Sequence, residues 1–241
     1  MPVKLKISSF HAPYSRAFRA FLFICSLAAA AQLAAAQQAP SAPHARFVVV
    51  LDAAHGGDET GGRLTDGQFE KTFTLALTTR LLSLLVARGI EVVTTRESDA
   101  VVEPEKRAEI ANHAVAQACL SLHASEAGSG VHLFVSSLAP AQPVRFPAWK
   151  TAQGAWLARS LKLAGVVNSA LLQAGMSTTL ARTTLPVVDS MTCPAAAVEI
   201  APERSALHET TAGLGDPDYQ ARVAAALAAA LVEWRTEAHQ P

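Results

Sequence analysis

Short apolar runs recur along this chain and alternate with longer amphipathic segments. Continuous runs of four to six mostly apolar residues are typical of strands that are buried on both faces. They occur at residues 47–51, 90–95, 119–123, 131–135 and 195–200. These five segments are the predicted strands.

The segments between the runs carry apolar residues at the spacing of an α-helix. The first begins near Glu70, ends before Gly89, and has one apolar face: Phe73, Leu77, Leu81, Leu84 and Leu85. The second begins at Pro104, a residue that suits a first helical turn, and is predicted to direct four residues inward: Ala108, Ala111, Val115 and Ala118. Two further helices are predicted over residues 153–174 and 217–234.

The alternation of strands and helices predicts an α/β fold. Because parallel strands need long crossover connections, helices between the strands indicate a largely parallel central sheet flanked by helices in a three-layer sandwich. The chain shows no internal repeat and no sign of a second folded domain.

The first 36 residues have the composition of a secretion signal. A cationic start contains Lys4, Lys6, Arg16 and Arg19, and a mostly apolar run over residues 20–33 ends at three alanines. An uncleaved membrane anchor is the alternative, but the run is short for a span of about 20 residues. We therefore predict a signal peptide over 1–36, a linker over 37–45 and one folded domain over 46–241.

Charge and cysteine content limit the classes of function that the chain could have. The 20 basic and 20 acidic residues cancel, so the chain has no electrostatic footprint for nucleic acid. Removal of the cationic signal leaves an acidic mature chain, for which no stable membrane anchor is expected. In an oxidising compartment Cys119 and Cys193 could form a disulfide, and two buried free thiols are the alternative.

The residues that could bind a metal or act as catalysts lie close to the ends of the predicted strands. Asp52 and His55 follow the first strand, Glu70 begins the next helix, His123 ends the third strand, and Glu199 lies near the end of the last strand. Because ligands bind beyond the carboxyl ends of such strands, these side chains are expected along one edge of the sheet. Two imidazoles and one carboxylate form a known catalytic zinc set, and the remaining carboxylate would serve as general base. Asp52 would either support a ligand histidine or cap the turn.

Five motifs occur in an order that is characteristic of one enzyme family. They are VVVLDAAHGGDETGG, FEKTFTLALTTRLLSLLVARGIEVVTTRESD, EKRAEIAN, LSLHAS and PAAAVEI. Over residues 47–234 the chain resembles the amidase 3 family of zinc-dependent N-acetylmuramoyl-L-alanine amidases.

The resemblance implies a role for each matching residue. His55, Glu70 and His123 correspond to the ligands of Zn²⁺, and Glu199 corresponds to the catalytic glutamate. The implied substrate is peptidoglycan, in which the amide between N-acetylmuramic acid and L-alanine is hydrolysed. The signal peptide ahead of a single domain predicts export to the periplasm or to the extracellular cell wall.

Other functions and other site residues remain open at this stage. A zinc metallopeptidase acting on cell-wall or other peptides would use the same ligands, and a non-catalytic peptidoglycan-binding protein would keep the fold. Glu203 is an alternative base, and His132 is a candidate substrate contact. Arg96 and Arg107 are expected to form structural ion pairs.

Two features differ from the family pattern. Ala53 and Ala54 replace the usual Pro-Gly before the first histidine, and an alanine there requires negative φ or some strain. Residues 137–155 form only a short segment where many relatives carry a helix that blocks the zinc. We therefore expect no built-in helical plug, although the need for a protein activator is unknown.

Overall fold

The computed structural model describes residues 46–142 and 150–238. The chain from Arg46 onward forms one compact unit. The predicted signal peptide over 1–36 and linker over 37–45 lie outside the described residues. Among the residues that are described, no helix combines the length and apolarity needed to cross a membrane.

Six strands form the central sheet in the order β2-β1-β3-β6-β4-β5. Their bounds are β1 Val48–Ala53, β2 Glu91–Thr94, β3 Ala118–Ala124, β4 Val131–Ser136, β5 Thr178–Thr183 and β6 Ala195–Ile200. All neighbours run parallel except β4 and β6, which are antiparallel. Two short strands, β7 (Glu203–Arg204) and β8 (Thr210–Ala212), form a separate antiparallel pair. The prediction of a largely parallel sheet is confirmed.

Helices cover both faces of this sheet, which confirms the three-layer arrangement. The helices are α1 Glu70–Val86, α2 Pro104–His113, α3 Leu157–Gln173 and α4 Pro217–Ala238. Helix α1 packs on β1 and β3, α3 packs on β4 and β6, and α4 packs on α1 and α3. On the opposite face lie α2 and a 3₁₀ turn at Val188–Ser190.

Alternation along β3 determines which side chains reach each layer. Leu120 and Leu122 are buried in the larger core with α1, α3 and α4. Cys119 belongs to the smaller core on the opposite face. Because successive side chains point to opposite faces of a strand, Ser121 and His123 lie on the same face as Cys119.

Cys119 and Cys193 are joined by a disulfide. The bond connects β3 to the residues just before β6, and both side chains are buried. It corresponds to the first of the two alternatives that the sequence left open.

The prediction for the second helix was wrong at its C-terminal end. Helix α2 stops at His113, Val115 is exposed with φ of 49°, and Ala118 is the first residue of β3. The chain has to turn here because the backbone N–H of Gln117 already donates to the carbonyl of Val48, the first residue of β1. Apolar residues at helical spacing therefore continued past the point where the helix ended.

Candidate metal centre

Three predicted ligands converge at the carboxyl edge of the sheet. His55 follows β1, Glu70 is the first residue of α1, and His123 lies near the end of β3. One ligand atom from each residue lies within 4.8 Å of the other two. Side chains that are remote in sequence meet here because β1 and β3 are adjacent and parallel.

Glu70 lies between the two imidazoles. Its Oε2 is 3.1 Å from Nε2 of His55, and its Oε1 is 3.1 Å from Nδ1 of His123. Each oxygen also accepts a backbone N–H, from Gly62 at 3.0 Å and from Ala124 at 3.1 Å. The carboxylate is therefore held in one orientation by the loop before α1 and by the end of β3.

These contacts change the acidity of both partners. Burial opposes ionisation of Glu70, but hydrogen bonds from His123, His55, Gly62 and Ala124 outweigh it and hold its pKa well below the ordinary value. The hydrogen bond to Glu70 raises the pKa of His55 against the opposing effect of burial. Glu70 is thus maintained as a carboxylate, the form that binds a metal.

The donor set and its spacing suit a zinc ion. Two imidazoles and one carboxylate with an open fourth position are a recurring catalytic zinc set. A tetrahedral ion with ligand distances of about 2.0–2.1 Å separates its ligand atoms by about 3.4 Å. Each oxygen of Glu70 lies 3.1 Å from one imidazole nitrogen, close to that spacing, and all three ligand atoms lie within 4.8 Å of one another.

The loop that carries His55 has an unusual backbone. His55 has φ of 62°, in the left-handed region that non-glycine residues rarely adopt. Ala54 has no positive φ, so the alanine that replaces the family's glycine is accommodated without that strain. Glu59 places Oε1 3.0 Å from Nδ1 of His55. No sequence pattern points to Glu59, because its contact depends on the fold of this loop.

Two buried arginines hold the same loop. Arg107 pairs with Asp52 at 2.8 Å, as expected, and also donates to the carbonyls of Ala53 and His55, each at 2.6 Å. Arg96 donates to the carbonyls of Ala53 and Ala54 at 2.9 and 3.1 Å. The ion pair expected for Arg96 is replaced by bonds to carbonyl oxygens, and burial lowers its pKa.

Asp52 is buried below the cluster and reaches no histidine directly. Its Oδ1 accepts from Thr95 and Arg107, and its Oδ2 accepts from Ser121 Oγ at 2.6 Å. Ser121 Oγ is in turn 3.4 Å from Nε2 of His123. The LSLHAS motif contains Ser121 but gave it no role, although its position two residues before His123 on a strand places both on one face.

Glu199 lies beside the cluster rather than within it. In the parallel pairing of β3 and β6 it is the direct partner of His123, and across the antiparallel pairing with β4 it is the partner of His132. Paired residues point to the same face of a sheet, so the three side chains form a row. The alternative base, Glu203, lies in β7 and pairs with Arg222 at 2.7 Å.

The fold and the cluster define a class of α/β domain with a metal-binding-capable His–Glu–His site at the carboxyl edge of its sheet. Residues 49–233 match the family model described as N-acetylmuramoyl-L-alanine amidase. The chain belongs to this family, which confirms the resemblance of its motifs.

Individual relatives agree with this assignment. The N-acetylmuramoyl-L-alanine amidase AmiA of Escherichia coli K12 is 39% identical over 77 residues, which are 32% of this chain and 27% of AmiA. The catalytic domain of the amidase CwlV from Bacillus (Paenibacillus) polymyxa var. colistinus is 27% identical, with a TM-score of 0.62 over 79% of this chain and 98% of CwlV. Ami1 from Mycobacterium smegmatis, at 22% identity, shares the fold with a TM-score of 0.64 over 81% of this chain and all of Ami1.

Proposed function

We propose that this chain hydrolyses the amide between N-acetylmuramic acid and L-alanine in peptidoglycan, with zinc held by His55, Glu70 and His123. The observation that carries the proposal is the convergence of these three side chains in a member of the amidase family. When bound, zinc supplies Lewis acidity toward a water molecule and toward the carbonyl oxygen of the scissile amide. The remaining chemistry is assigned to residues of the chain.

Glu199 is proposed as the general base and then the general acid. Its place next to His123 in the β3–β6 pairing puts a carboxylate on the same face of the sheet as a proposed ligand. From there it accepts a proton from the attacking water and returns it to the nitrogen of the leaving L-alanine. Glu203 is less suited to this role because it is ion-paired with Arg222.

His132 continues the row beyond Glu199 and is proposed as a substrate contact. Its Nδ1 is 2.7 Å from Oγ1 of Thr179, its neighbour on β5. This contact fixes the ring beside the base, on the side away from His123. A polar group of the glycan or the stem peptide in this position would meet the imidazole edge.

The proposed location is outside the cytoplasm, in the periplasm or the cell wall. Residues 1–36 are proposed as the cleaved signal peptide, 37–45 as a linker and 46–241 as the catalytic domain. The disulfide between Cys119 and Cys193 supports export because such bonds persist mainly in oxidising compartments.

We also propose that the site needs no release from a helical plug. Within residues 137–155, the described part contains one 3₁₀ turn at Ala152–Ala155, and residues 143–149 lie outside the description. Full activity of the purified chain without any activator protein is expected. A strict requirement for an activator would contradict this proposal.

The test uses purified residues 37–241, either zinc-loaded or treated with a chelator, and isolated peptidoglycan. Mass spectrometry of the soluble products should show intact stem peptides from the zinc form alone. Glu199→Gln should keep its zinc and lose about 10²–10⁴-fold in rate, the usual contribution of acid–base catalysis. Glu203→Gln is the matched control and should remain active.

Other experimental outcomes would support another function or another catalytic base. Shortened stem peptides that remain attached to glycan would indicate a metallopeptidase. Retention on peptidoglycan without any released fragment would indicate a binding protein. Loss of activity in Glu203→Gln but not in Glu199→Gln would reassign the base.

A further inference from the structure

The buried carboxylate of Asp52 connects to a proposed zinc ligand through a single hydroxyl. Asp52 is 1% exposed and is ion-paired with Arg107 at 2.8 Å. Ser121 is equally buried and donates to Oδ2 of Asp52 at 2.6 Å. The same Ser121 oxygen lies 3.4 Å from Nε2 of His123.

Which of these groups can donate a hydrogen and which can only accept one determines the direction of each hydrogen bond. A carboxylate only accepts, so the single proton of Ser121 is directed to Asp52. The Ser121 oxygen can then interact with His123 only as an acceptor, which requires a hydrogen on Nε2. Nδ1 donates a hydrogen to Oε1 of Glu70 at 3.1 Å. Metal binding would displace that hydrogen and leave the Nδ1 lone pair for the ion, while the hydrogen on Nε2 stays directed at Ser121.

We infer that Asp52 and Ser121 form a relay that positions His123 as an Nδ1 ligand of the metal. Both are positioning residues, and neither touches the reacting atoms. The inference rests on the proposed zinc set. Hydrogen bonds from the second nitrogen of a metal-bound histidine commonly fix the ring and its tautomer, and losing them typically costs about 10–100-fold in metal affinity.

His55 presents the opposite nitrogen. Its Nδ1 is 3.0 Å from Glu59 and its Nε2 faces Glu70 at 3.1 Å. The two histidines thus use different ring nitrogens toward the site, each with a carboxylate behind it. For His55 that carboxylate is exposed and in direct contact, whereas for His123 it is buried and acts through Ser121.

Thr95 provides a matched control for Ser121. Both hydroxyls donate to Asp52, Thr95 to Oδ1 at 2.7 Å and Ser121 to Oδ2. Ser121 also contacts His123, at 3.4 Å, whereas the Thr95 hydroxyl bonds the other oxygen of Asp52. Ser121→Ala and Thr95→Val each remove one hydrogen bond from the same buried carboxylate, so a purely structural role predicts similar effects for both.

The experiment measures zinc affinity by competition with a chromophoric chelator, together with the thermal unfolding of each metal-free variant. Ser121→Ala is expected to bind zinc about 10–100-fold more weakly, while Thr95→Val keeps wild-type affinity. Ring ¹⁵N shifts of His123 in the zinc-loaded wild type should show ligation through Nδ1 and a hydrogen on Nε2.

The remaining outcomes separate failure of the relay from failure of the zinc site. Unchanged affinity in Ser121→Ala, equal weakening in both variants, or ligation through Nε2 would overturn the relay. His123→Ala tests the underlying proposal and should abolish tight zinc binding. If it does not, the zinc set itself is wrong, whatever the other variants show.

Discussion

At the scale of single residues, Gly61 is what allows the candidate ligands to approach each other. It has φ of +66°, and a Cβ at this position would lie 2.6 Å from Cδ2 of His55 and 2.7 Å from Oε2 of Glu70. Such distances are shorter than real Cβ contacts, so any side chain here would displace both groups. Gly61 therefore matters to the site because its lack of a side chain lets His55 and Glu70 come close together.

Gly61→Ala is expected to weaken zinc binding by at least about tenfold, because displacing the groups that orient metal ligands typically costs about 10–100-fold in affinity. Competition with a chelator measures the effect. Gly67→Ala is the control: Gly67 has φ of +85° but no heavy atom within 4 Å of the added Cβ. Both variants carry the backbone cost of an alanine at positive φ, about 1 kcal/mol or more. Equal zinc affinity in the two variants would show that Gly61 matters only for its backbone.

The sequence pointed to the candidate ligands and to Asp52 and Arg107 near them, but not to every residue that contacts the ligands. His55, Glu70 and His123 were predictable because they occupy strand and helix ends within recognisable motifs. Glu59 and Ser121 were not, since their contacts depend on the loop conformation and on the face of β3. A motif specifies which residues are present, whereas a support role depends on distances of about 3 Å.

At the scale of elements, the connection from β1 to α1 depends on a side chain from another helix. Arg107 of α2 donates Nε to the carbonyl of Val102 at 2.8 Å and reaches both Asp52 and the loop with its other nitrogens. One planar guanidinium thereby joins the end of β1, the His55 loop and the start of α2. The position of His55 is consequently coupled to the packing of α2.

Arg107→Lys is expected to lower the free energy of unfolding by about 2–3 kcal/mol, because a single ammonium cannot replace the fork of bonds to buried acceptors. Urea denaturation measures the change. Lys106→Ala, an exposed position on the same helix that pairs with Glu109, should change stability by no more than about 0.5 kcal/mol. Similar losses in the two variants would mean that the buried network contributes little.

Elements with a clear apolar signal were predictable, and elements at the edge of the sheet were not. All five predicted strands exist within a residue or two of their predicted bounds. β5 was missed because it is an edge strand with mostly exposed residues, so it has no buried apolar run. The second predicted helix extended past His113 to Ala118, because apolar residues keep helical spacing where the chain turns into β3.

At the scale of the whole molecule, strand order assembles the site. β3 and β6 are far apart in sequence but adjacent in the sheet, which places His123 beside Glu199. Periodicity predicts that both strands exist but not that they pair. It also gives no sign that β4 lies between β6 and β5 and runs antiparallel to β6. The resemblance to the family supplied what periodicity could not.

The disulfide between Cys119 and Cys193 contributes to the stability of the fold that carries the site. It links β3 to the residues before β6 across a sequence separation of 74. Closing a loop of this length removes chain entropy from the unfolded state, a stabilisation of about 4 kcal/mol in the simplest model. The bond therefore reinforces the strand pair that carries His123 and Glu199.

Reduction of purified residues 37–241 should lower their urea midpoint substantially, and thiol titration should then detect both Cys119 and Cys193. Cys193→Ala should unfold at a lower urea concentration than the wild type and show no further response to reductant. An unchanged wild-type midpoint after complete reduction would show that the bond is dispensable. With the expected result, the protein would lose much of its stability in a reducing compartment. The disulfide would then give a thermodynamic reason for action outside the cytoplasm, where peptidoglycan lies.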